Sequence, residues 1–201
     1  MIMTKRALIL DIGGVLEITP ATGWGERWEH RLGLPAGDLN TRFAGLWHAG
    51  SIGTVTEAEV SRRIGDELGI DPGPFMADLW EQYLGTGNEE LITYVRGLQG
   101  RCRLGILSNS FVGAREREDA AYGFSSLVDE ILYSHEIGVE KPDPAAFTAA
   151  CERLATAPAD CLFVDDHAPN IEAARASGLQ AVLFEDNELT IARIEEFLHD
   201  S

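Results

Sequence analysis

The sequence predicts an α/β protein in which a Rossmann-like core, built on a parallel five-stranded sheet, carries an inserted helical cap subdomain. Three observations predict this class. A buried-strand pattern at the start ends in an aspartate and two glycines, five helix-like stretches follow, and strand-like and helix-like stretches then alternate to the end. The predicted core comprises residues 1–16 and 99–201, and the predicted cap comprises residues 17–98.

The first predicted strand, at residues 7–10, ends in the residue that the chemistry depends on. A short apolar run of this kind is typical of a strand buried on both faces of a parallel sheet. Asp11 follows it directly, at the edge where open α/β sheets bind ligands. Gly13 and Gly14 let the chain turn sharply and let a ligand approach the backbone closely. A carboxylate in this position is suited to act as a nucleophile or as a metal ligand.

The segment from residue 17 to about residue 98 contains no convincing strand. Its apolar residues recur at helical spacing, and breaks containing glycine or proline separate the stretches. Thr56 followed by Glu59 is typical of a capping box at the start of the third helix. The five predicted helices lie near 24–33, 37–49, 56–68, 73–84 and 88–98.

From residue 103 the pattern changes to alternating strands and helices. This alternation is typical of βαβ units, in which a helix joins two parallel strands by a right-handed crossover. Together with the first strand it gives five parallel strands. The later strands are predicted at 104–107, 130–133, 162–164 and 181–184, and the helices near 112–121, 144–155, 168–177 and 188–199.

The composition excludes several classes of partner. The chain has 16 basic and 33 acidic residues, a formal net charge of −17, so nucleic acid and anionic membranes are poor partners. No apolar run approaches the roughly 20 residues of a membrane span, and no signal peptide is recognisable. Cys102, Cys151 and Cys161 lack metal-binding spacing and are expected to be buried, reduced thiols. We expect a cytoplasmic protein that is a monomer or a homodimer.

Two further segments place polar residues where they could meet Asp11. Ser108 and Asn109 follow the strand at 104–107, and a hydroxyl beside free backbone N–H groups can hold an anionic oxygen. Lys141 is one of only two lysines in the chain. It lies in a loop bounded by glycine and proline, just before a helix, and could reach the same edge of the sheet.

An acidic pair follows another predicted strand. Asp165 and Asp166 come directly after the run at 162–164. Two adjacent carboxylates repel each other, and a bound cation relieves that repulsion. Together with Asp11 they could hold Mg²⁺, a hard cation that favours carboxylates, water and phosphate as ligands.

In this order, four segments of the chain resemble the four motifs of the haloacid dehalogenase superfamily. They are LILDIGGVL around Asp11, LGILSNS around Ser108, IGVEKPDP around Lys141, and LFVDDHAPNIEAARASG around Asp165 and Asp166. The helical insert resembles the small cap of that superfamily, and the resemblance spans roughly residues 6–185. The ordered motifs are strongly specific for the fold and less specific for the reaction.

The resemblance implies a phosphatase that transfers the phosphoryl group of a small phosphorylated metabolite to Asp11, with Mg²⁺ as the cofactor. Ser108 and Lys141 would bind and position the phosphoryl group, and electrostatic positioning is most of what this reaction asks of a protein. Asn109 and Gly14 are expected to contribute to phosphate binding. The implied metal ligands are Asp11, the backbone carbonyl of Gly13, and Asp165 or Asp166, and Asn170 is expected to orient the acidic pair.

One position departs from the family pattern. The phosphatases of the superfamily carry a second aspartate two residues after the nucleophile, where it protonates the leaving group, and this chain has Gly13 there. Loss of a general acid typically costs about 10²–10⁴ in rate. The substrate would then need a leaving group that departs with little protonation, or another residue would supply the proton. Glu17, His48 and His167 are candidates, although each also has a structural explanation.

Three other functions compete with that of a phosphatase. A 2-haloacid dehalogenase needs no acid, and Arg42 in the cap could bind a carboxylate, but the paired Asp165 and Asp166 do not fit that reaction. A phosphonatase needs a lysine in the cap, and there is none between Lys5 and Lys141, so this activity is excluded. A catalytically silent protein that binds a phosphorylated ligand or a protein partner remains open.

Overall fold

A computed structural model describes residues 6–199 of the chain, and a parallel sheet forms its centre. The main sheet has five strands in the order β5-β4-β1-β6-β7, and all neighbours in it run parallel. The predicted fold class and the five parallel strands are therefore confirmed. The strands in chain order are β1 (Ala7–Leu10), β2 (Glu17–Ile18), β3 (Thr86–Gly87), β4 (Arg103–Ser108), β5 (Glu130–Tyr133), β6 (Cys161–Asp165) and β7 (Gln180–Leu183).

The helices agree with the predicted positions to within a few residues. They are α1 (Trp24–Leu32), α2 (Asp38–Ser51), α3 (Glu57–Leu68), α4 (Pro72–Leu84), α5 (Glu89–Gly97), α6 (Ala114–Tyr122), α7 (Phe124–Leu127), α8 (Ser134–Ile137), α9 (Pro144–Arg153), α10 (Ala168–Ala176) and α11 (Asn187–His199). The short helices α7 and α8 were not predicted from the sequence. Thr56 caps α3, since its Oγ1 accepts a hydrogen bond from the backbone N–H of Glu59 at 3.2 Å.

The sheet is buried on both faces because successive side chains of a strand point to opposite sides. On β1, Leu8 and Leu10 belong to one apolar cluster, which also contains residues of α5, α7 and α11. Ala7 and Ile9 belong to the other cluster, which contains residues of α9 and α10. All four residues of β1 are buried, so the strand is a rigid base for the residue that follows it.

The cap has an apolar core of its own, rich in aromatic side chains. Trp24 and Trp28 of α1 lie edge-on to Phe75 of α4, with ring centroids 5.0 and 5.1 Å apart. Phe111, from the loop after β4, belongs to the same cluster. The cap therefore packs against the edge of the sheet where β4 ends.

The packing of α5 differs from the predicted segmentation. The sequence analysis placed this helix in the cap, but Leu91, Ile92 and Val95 belong to the apolar cluster on one face of the sheet. The apolar cluster of the cap contains residues of α1 to α4. The two crossings between cap and core, β2 and β3, pair as a short antiparallel ribbon.

Two expectations from composition can be compared with the described residues. Cys102, Cys151 and Cys161 are buried and form no disulfide. Within residues 6–199, no helix is both long and apolar enough to cross a membrane.

Candidate active site

The carboxyl edge of the sheet brings together the polar residues that the sequence placed at three strand ends. Asp11 follows β1, and its backbone N–H donates to the carbonyl of Val164 at 2.9 Å, which extends the pairing with β6. Ser108 and Asp165 are the last residues of β4 and β6, the two strands that flank β1. The three side chains therefore start from adjacent, buried strands whose relative positions are fixed by the ladder.

Lys141 lies in the loop before α9 and joins two of the carboxylates. Its Nζ atom is 2.8 Å from Oδ1 of Asp11 and 2.6 Å from Oδ2 of Asp165. Only 3% of Lys141 is exposed, so the two ion pairs are largely shielded from water. Burial raises the pKa of Asp11 to about 6, and the positive charge of Lys141 opposes that rise.

Asn109 holds the backbone of Lys141 by two reciprocal hydrogen bonds. The Asn109 side chain donates to the Lys141 carbonyl at 2.8 Å and accepts from the Lys141 N–H at 2.7 Å. The hydroxyl of Ser108 is buried and donates a long, 3.4 Å hydrogen bond to the carbonyl of Asn109. The side chain of Asn109 thus fixes the lysine loop against the end of β4.

The two aspartates of the acidic pair have different surroundings. Asp165 is fully buried, and its Oδ2 accepts from both Lys141 and Asn170, the latter at 3.0 Å. Its Oδ1 accepts from the backbone N–H of His167 at 2.7 Å. Asp166 is exposed, and its carboxylate lies close to Gly14, where an added Cβ would be 2.0 Å from Oδ2. Gly14 has a φ of +77°, which also favours glycine.

The carboxylates suit a hard cation. One oxygen from each of Asp11, Asp165 and Asp166 lies within 4.8 Å of the others. This donor set contains oxygen atoms alone, as Mg²⁺ prefers. Because the protein already supplies hydrogen-bond donors to both oxygens of Asp165, Asp166 has the freer carboxylate for a metal.

A cavity of about 190 Å³, here called the Gly13 cavity, opens beside this edge between core and cap. Gly13, Ser108 and Asn109 line it from the core, and Leu79 and Tyr83 of α4 line it from the cap. A Cβ added at Gly13 would meet no atom within 4 Å. The position that carries an acid in the family's phosphatases is therefore open space in this chain.

The candidate proton donors and carboxylate-binding residues proposed from sequence lie in different places. Glu17 lines the Gly13 cavity. His48 is exposed and pairs with Glu140 at 3.4 Å in a neighbouring cleft. The side chain of His167 is exposed, and Arg42 pairs with acidic residues of the cap.

Two ionisable residues of the Gly13 cavity were not found from the sequence. Glu118 of α6 is 2% exposed, and the hydroxyl of Tyr133 donates to its Oε2 at 2.5 Å. Tyr83 of α4 lies against the same carboxyl group. Burial raises the pKa of Glu118 to about 7, while the two tyrosine hydroxyls oppose the rise. Burial likewise raises the pKa of Glu17 to about 7, against the hydroxyl of Thr19.

Fold and site together define a capped α/β protein with a lysine and three carboxylates at the carboxyl edge of its sheet. Comparison with known proteins gives the same class. The model of the haloacid dehalogenase-like hydrolases matches residues 6–178. The chain therefore belongs to the haloacid dehalogenase-like hydrolase family, as the four motifs indicated.

Two of the relatives that align with most of the chain are phosphatases by name. Phosphatase MT3486 of Mycobacterium tuberculosis is 31% identical over 90% of this chain and 88% of its own length. Sesquiterpene phosphatase astK of Aspergillus oryzae is 25% identical over 98% of this chain and 99% of its own length.

A solved structure shares the fold. A family enzyme from Bacteroides thetaiotaomicron, crystallised with magnesium and inorganic phosphate, superimposes with a TM-score of 0.80 at 19% identity. The match covers 93% of this chain and 98% of that one.

Proposed function

We propose that this protein is a Mg²⁺-dependent phosphatase that hydrolyses a small phosphomonoester through a phosphorylated Asp11. The observation that carries the proposal is the contact of Lys141 with Asp11, beside the acidic pair. Two relatives are named as phosphatases, and a structural neighbour was crystallised with magnesium and phosphate, which supports the proposal.

In the proposed reaction a carboxylate oxygen of Asp11 forms a bond to phosphorus while the bond to the ester oxygen breaks. Lys141 binds the phosphoryl oxygens and holds Asp11, and Ser108 donates its hydroxyl proton to another phosphoryl oxygen. The alcohol leaves as an alkoxide, which takes a proton from solvent water. Water then attacks phosphorus, releases inorganic phosphate and regenerates Asp11.

Asp11, the carbonyl of Gly13 and Asp166 would hold Mg²⁺ in this proposal. When bound, the ion supplies positive charge that offsets the charge on the transferring oxygens. Asn170 and the N–H of His167 hold Asp165, so that it pairs with Lys141 rather than with the ion. Gly14 leaves room for the carboxylate of Asp166.

Position 13 supplies no proton to the leaving group. Substrates whose leaving group departs with little protonation should therefore react fastest. The missing acid also gives the second candidate, a silent member of the family that binds a phosphorylated ligand or a protein partner. A dehalogenase is less well supported, because Arg42 is paired with Asp38 and Glu67.

The deciding experiment measures phosphate release from para-nitrophenyl phosphate and acetyl phosphate, with Mg²⁺ and with EDTA. We expect turnover that needs the metal and disappears in Asp11→Asn, with the fold retained by circular dichroism. Gly13→Asp is the informative variant to compare with the wild type, since a Cβ at residue 13 would meet no atom within 4 Å. A silent wild type with an active Gly13→Asp would overturn the phosphatase proposal and favour a binding role.

A further inference from the structure

The Gly13 cavity contains two buried carboxyl groups that the proposed phosphoryl transfer does not use. Glu17 of β2 and Glu118 of α6 both line it, and each is only 2% exposed. Burial of a carboxyl group is unfavourable unless hydrogen bonds or a cation compensate for the lost water. A ligand that brings hydrogen-bond donors into this cavity would provide such compensation.

Glu17 has an incomplete set of partners. Its Oε2 accepts a hydrogen bond from the hydroxyl of Thr19 at 2.9 Å, and Thr19 lines the same cavity. Its Oε1 is buried and has no hydrogen-bond partner among residues 6–199. This oxygen lies against the backbone of Gly85. An unsatisfied buried oxygen typically costs about 1–3 kcal/mol, so a turn of the Glu17 carboxyl group toward a donor on a ligand would be favoured.

Glu118 is held in place as an acceptor. The hydroxyl of Tyr133 donates to its Oε2, and Tyr83, which also lines the cavity, lies against it. No basic side chain occurs among the described residues that line the cavity. A carboxylate on a ligand would therefore meet negative charge in a poorly hydrated space, and no cation of the lining would offset it.

We propose that Glu17 and Glu118 select the leaving group of the substrate, a small group that carries hydroxyl or ammonium donors and no carboxylate. The proposal rests on the phosphatase function, because it takes Gly13 and Ser108 as the position of the phosphate ester. A volume of about 190 Å³ suits a leaving group of a few carbon atoms. The two carboxyl groups would accept its donors and would repel carboxylate-bearing phosphate esters.

Two matched pairs of substrates test this selection at pH 8. Glycerol 3-phosphate differs from 3-phosphoglycerate in having a hydroxymethyl group in place of a carboxylate, and phosphoethanolamine differs from phosphoglycolate in its ammonium group. In each pair we expect kcat/KM to be higher for the ester that carries the hydroxyl or ammonium donor than for the ester that carries the carboxylate. The expected difference is at least about tenfold, the scale of a 1.4 kcal/mol difference. A preference in the first pair alone would mean that the site selects hydroxyl donors. A preference in the second pair alone would mean that it selects ammonium donors.

Variants then assign the preference to the two residues. Glu17→Gln and Glu118→Gln each remove a charge and keep the size of the side chain. We expect each variant to lower, several-fold, the ratio of kcat/KM for the donor-bearing ester to kcat/KM for the carboxylate-bearing ester. Glu116→Gln, on the exposed side of the same helix as Glu118, is the matched control and should keep the wild-type ratio. Equal or better turnover of the carboxylate esters by the wild type would overturn the proposal, as would ratios that neither variant changes.

A failure of the phosphatase function gives a different result. In that case no substrate, including acetyl phosphate, releases phosphate in a metal-dependent manner. The dissociation constants of the four esters are then measured by calorimetry in Mg²⁺ buffer, and the two esters of each pair are compared. Preference for the donors would support the selection in a protein that only binds, and its absence would refute the selection as well.

Discussion

Gly14 and Asp166 lie so close that no side chain fits between them: a Cβ on residue 14 would be 2.0 Å from Oδ2 of Asp166. The φ of Gly14, +77°, adds a second reason for glycine. The glycine therefore fixes where the freer carboxylate of the acidic pair can lie. If Asp166 is a metal ligand, a side chain at residue 14 should lower the affinity for Mg²⁺.

Gly14→Ala should weaken Mg²⁺ binding by at least about tenfold, because the methyl group displaces the carboxylate of Asp166. Gly13→Ala is the matched control, since its Cβ meets no atom within 4 Å, and it should bind Mg²⁺ as the wild type does. Isothermal titration calorimetry of both variants with Mg²⁺ gives the comparison. Equal affinity in the two variants would remove Asp166 from the ligand set.

Lys141 compensates two buried carboxylates at once, and its loss should be costly. Lys141→Met leaves Asp11 and Asp165 without a cation, and breaking a buried pair in this way typically costs about 3–5 kcal/mol. We expect a loss of that size in the free energy of unfolding, measured by urea denaturation in EDTA.

The double variant Asp11→Asn, Lys141→Met separates repulsion from lost packing. Removing the charge of Asp11 should recover part of the stability that Lys141→Met loses, so the two effects should not add. Additive losses would mean that the lysine stabilises the fold through its packing rather than through its charge.

Gly50 shows how closely the cap approaches the loop after β4. A Cβ on this residue would lie 2.1 Å from the ring of Phe111, so Gly50→Ala should lower the free energy of unfolding by about 1–3 kcal/mol. Gly45 lies in the same helix, and a Cβ there meets nothing within 4 Å. Gly45→Ala should instead raise stability by up to about 1 kcal/mol through helix propensity. Denaturant titrations of the two variants measure whether the free energy of unfolding falls in Gly50→Ala and rises in Gly45→Ala. A stabilised Gly50→Ala would contradict the packing described.

The sequence predicted the sheet and the meeting of Asp11 with Asp165, because apolar runs mark buried strands and parallel strands end at one edge. It grouped α5 with the cap, whereas the buried residues of α5 belong to an apolar cluster of the sheet. Helical periodicity shows that a face of a helix is buried but does not show which cluster buries it. The unequal surroundings of Asp165 and Asp166 depend on donors from Lys141, Asn170 and the His167 backbone, which only the folded chain brings together.

Glu118 could not have been found in the same way. It lies in α6, whose sequence AREREDAAY is charged over most of its length and is typical of a solvated helix. Its burial follows from tertiary packing, since Tyr133 ends β5 and Tyr83 reaches it from the cap. A buried acid on a charged helix is visible only once these partners are in place.

The raised pKa of Glu118 makes a prediction about stability against pH. The folded protein holds the proton up to about pH 7, whereas the unfolded chain releases it near the ordinary value of 4.5. Between these values the folded state binds more protons, so this group stabilises the fold at low pH, and its contribution is lost as pH rises through 7. Glu118→Gln, which cannot ionise, should be more stable than the wild type at pH 8.5 by about 3 kcal/mol, and the advantage should vanish near pH 4.5. Urea denaturation in EDTA across this range measures the difference, with Glu116→Gln as the control that should show no such dependence. A constant difference between Glu118→Gln and the wild type at all pH values would mean that Glu118 ionises equally in the folded and unfolded states.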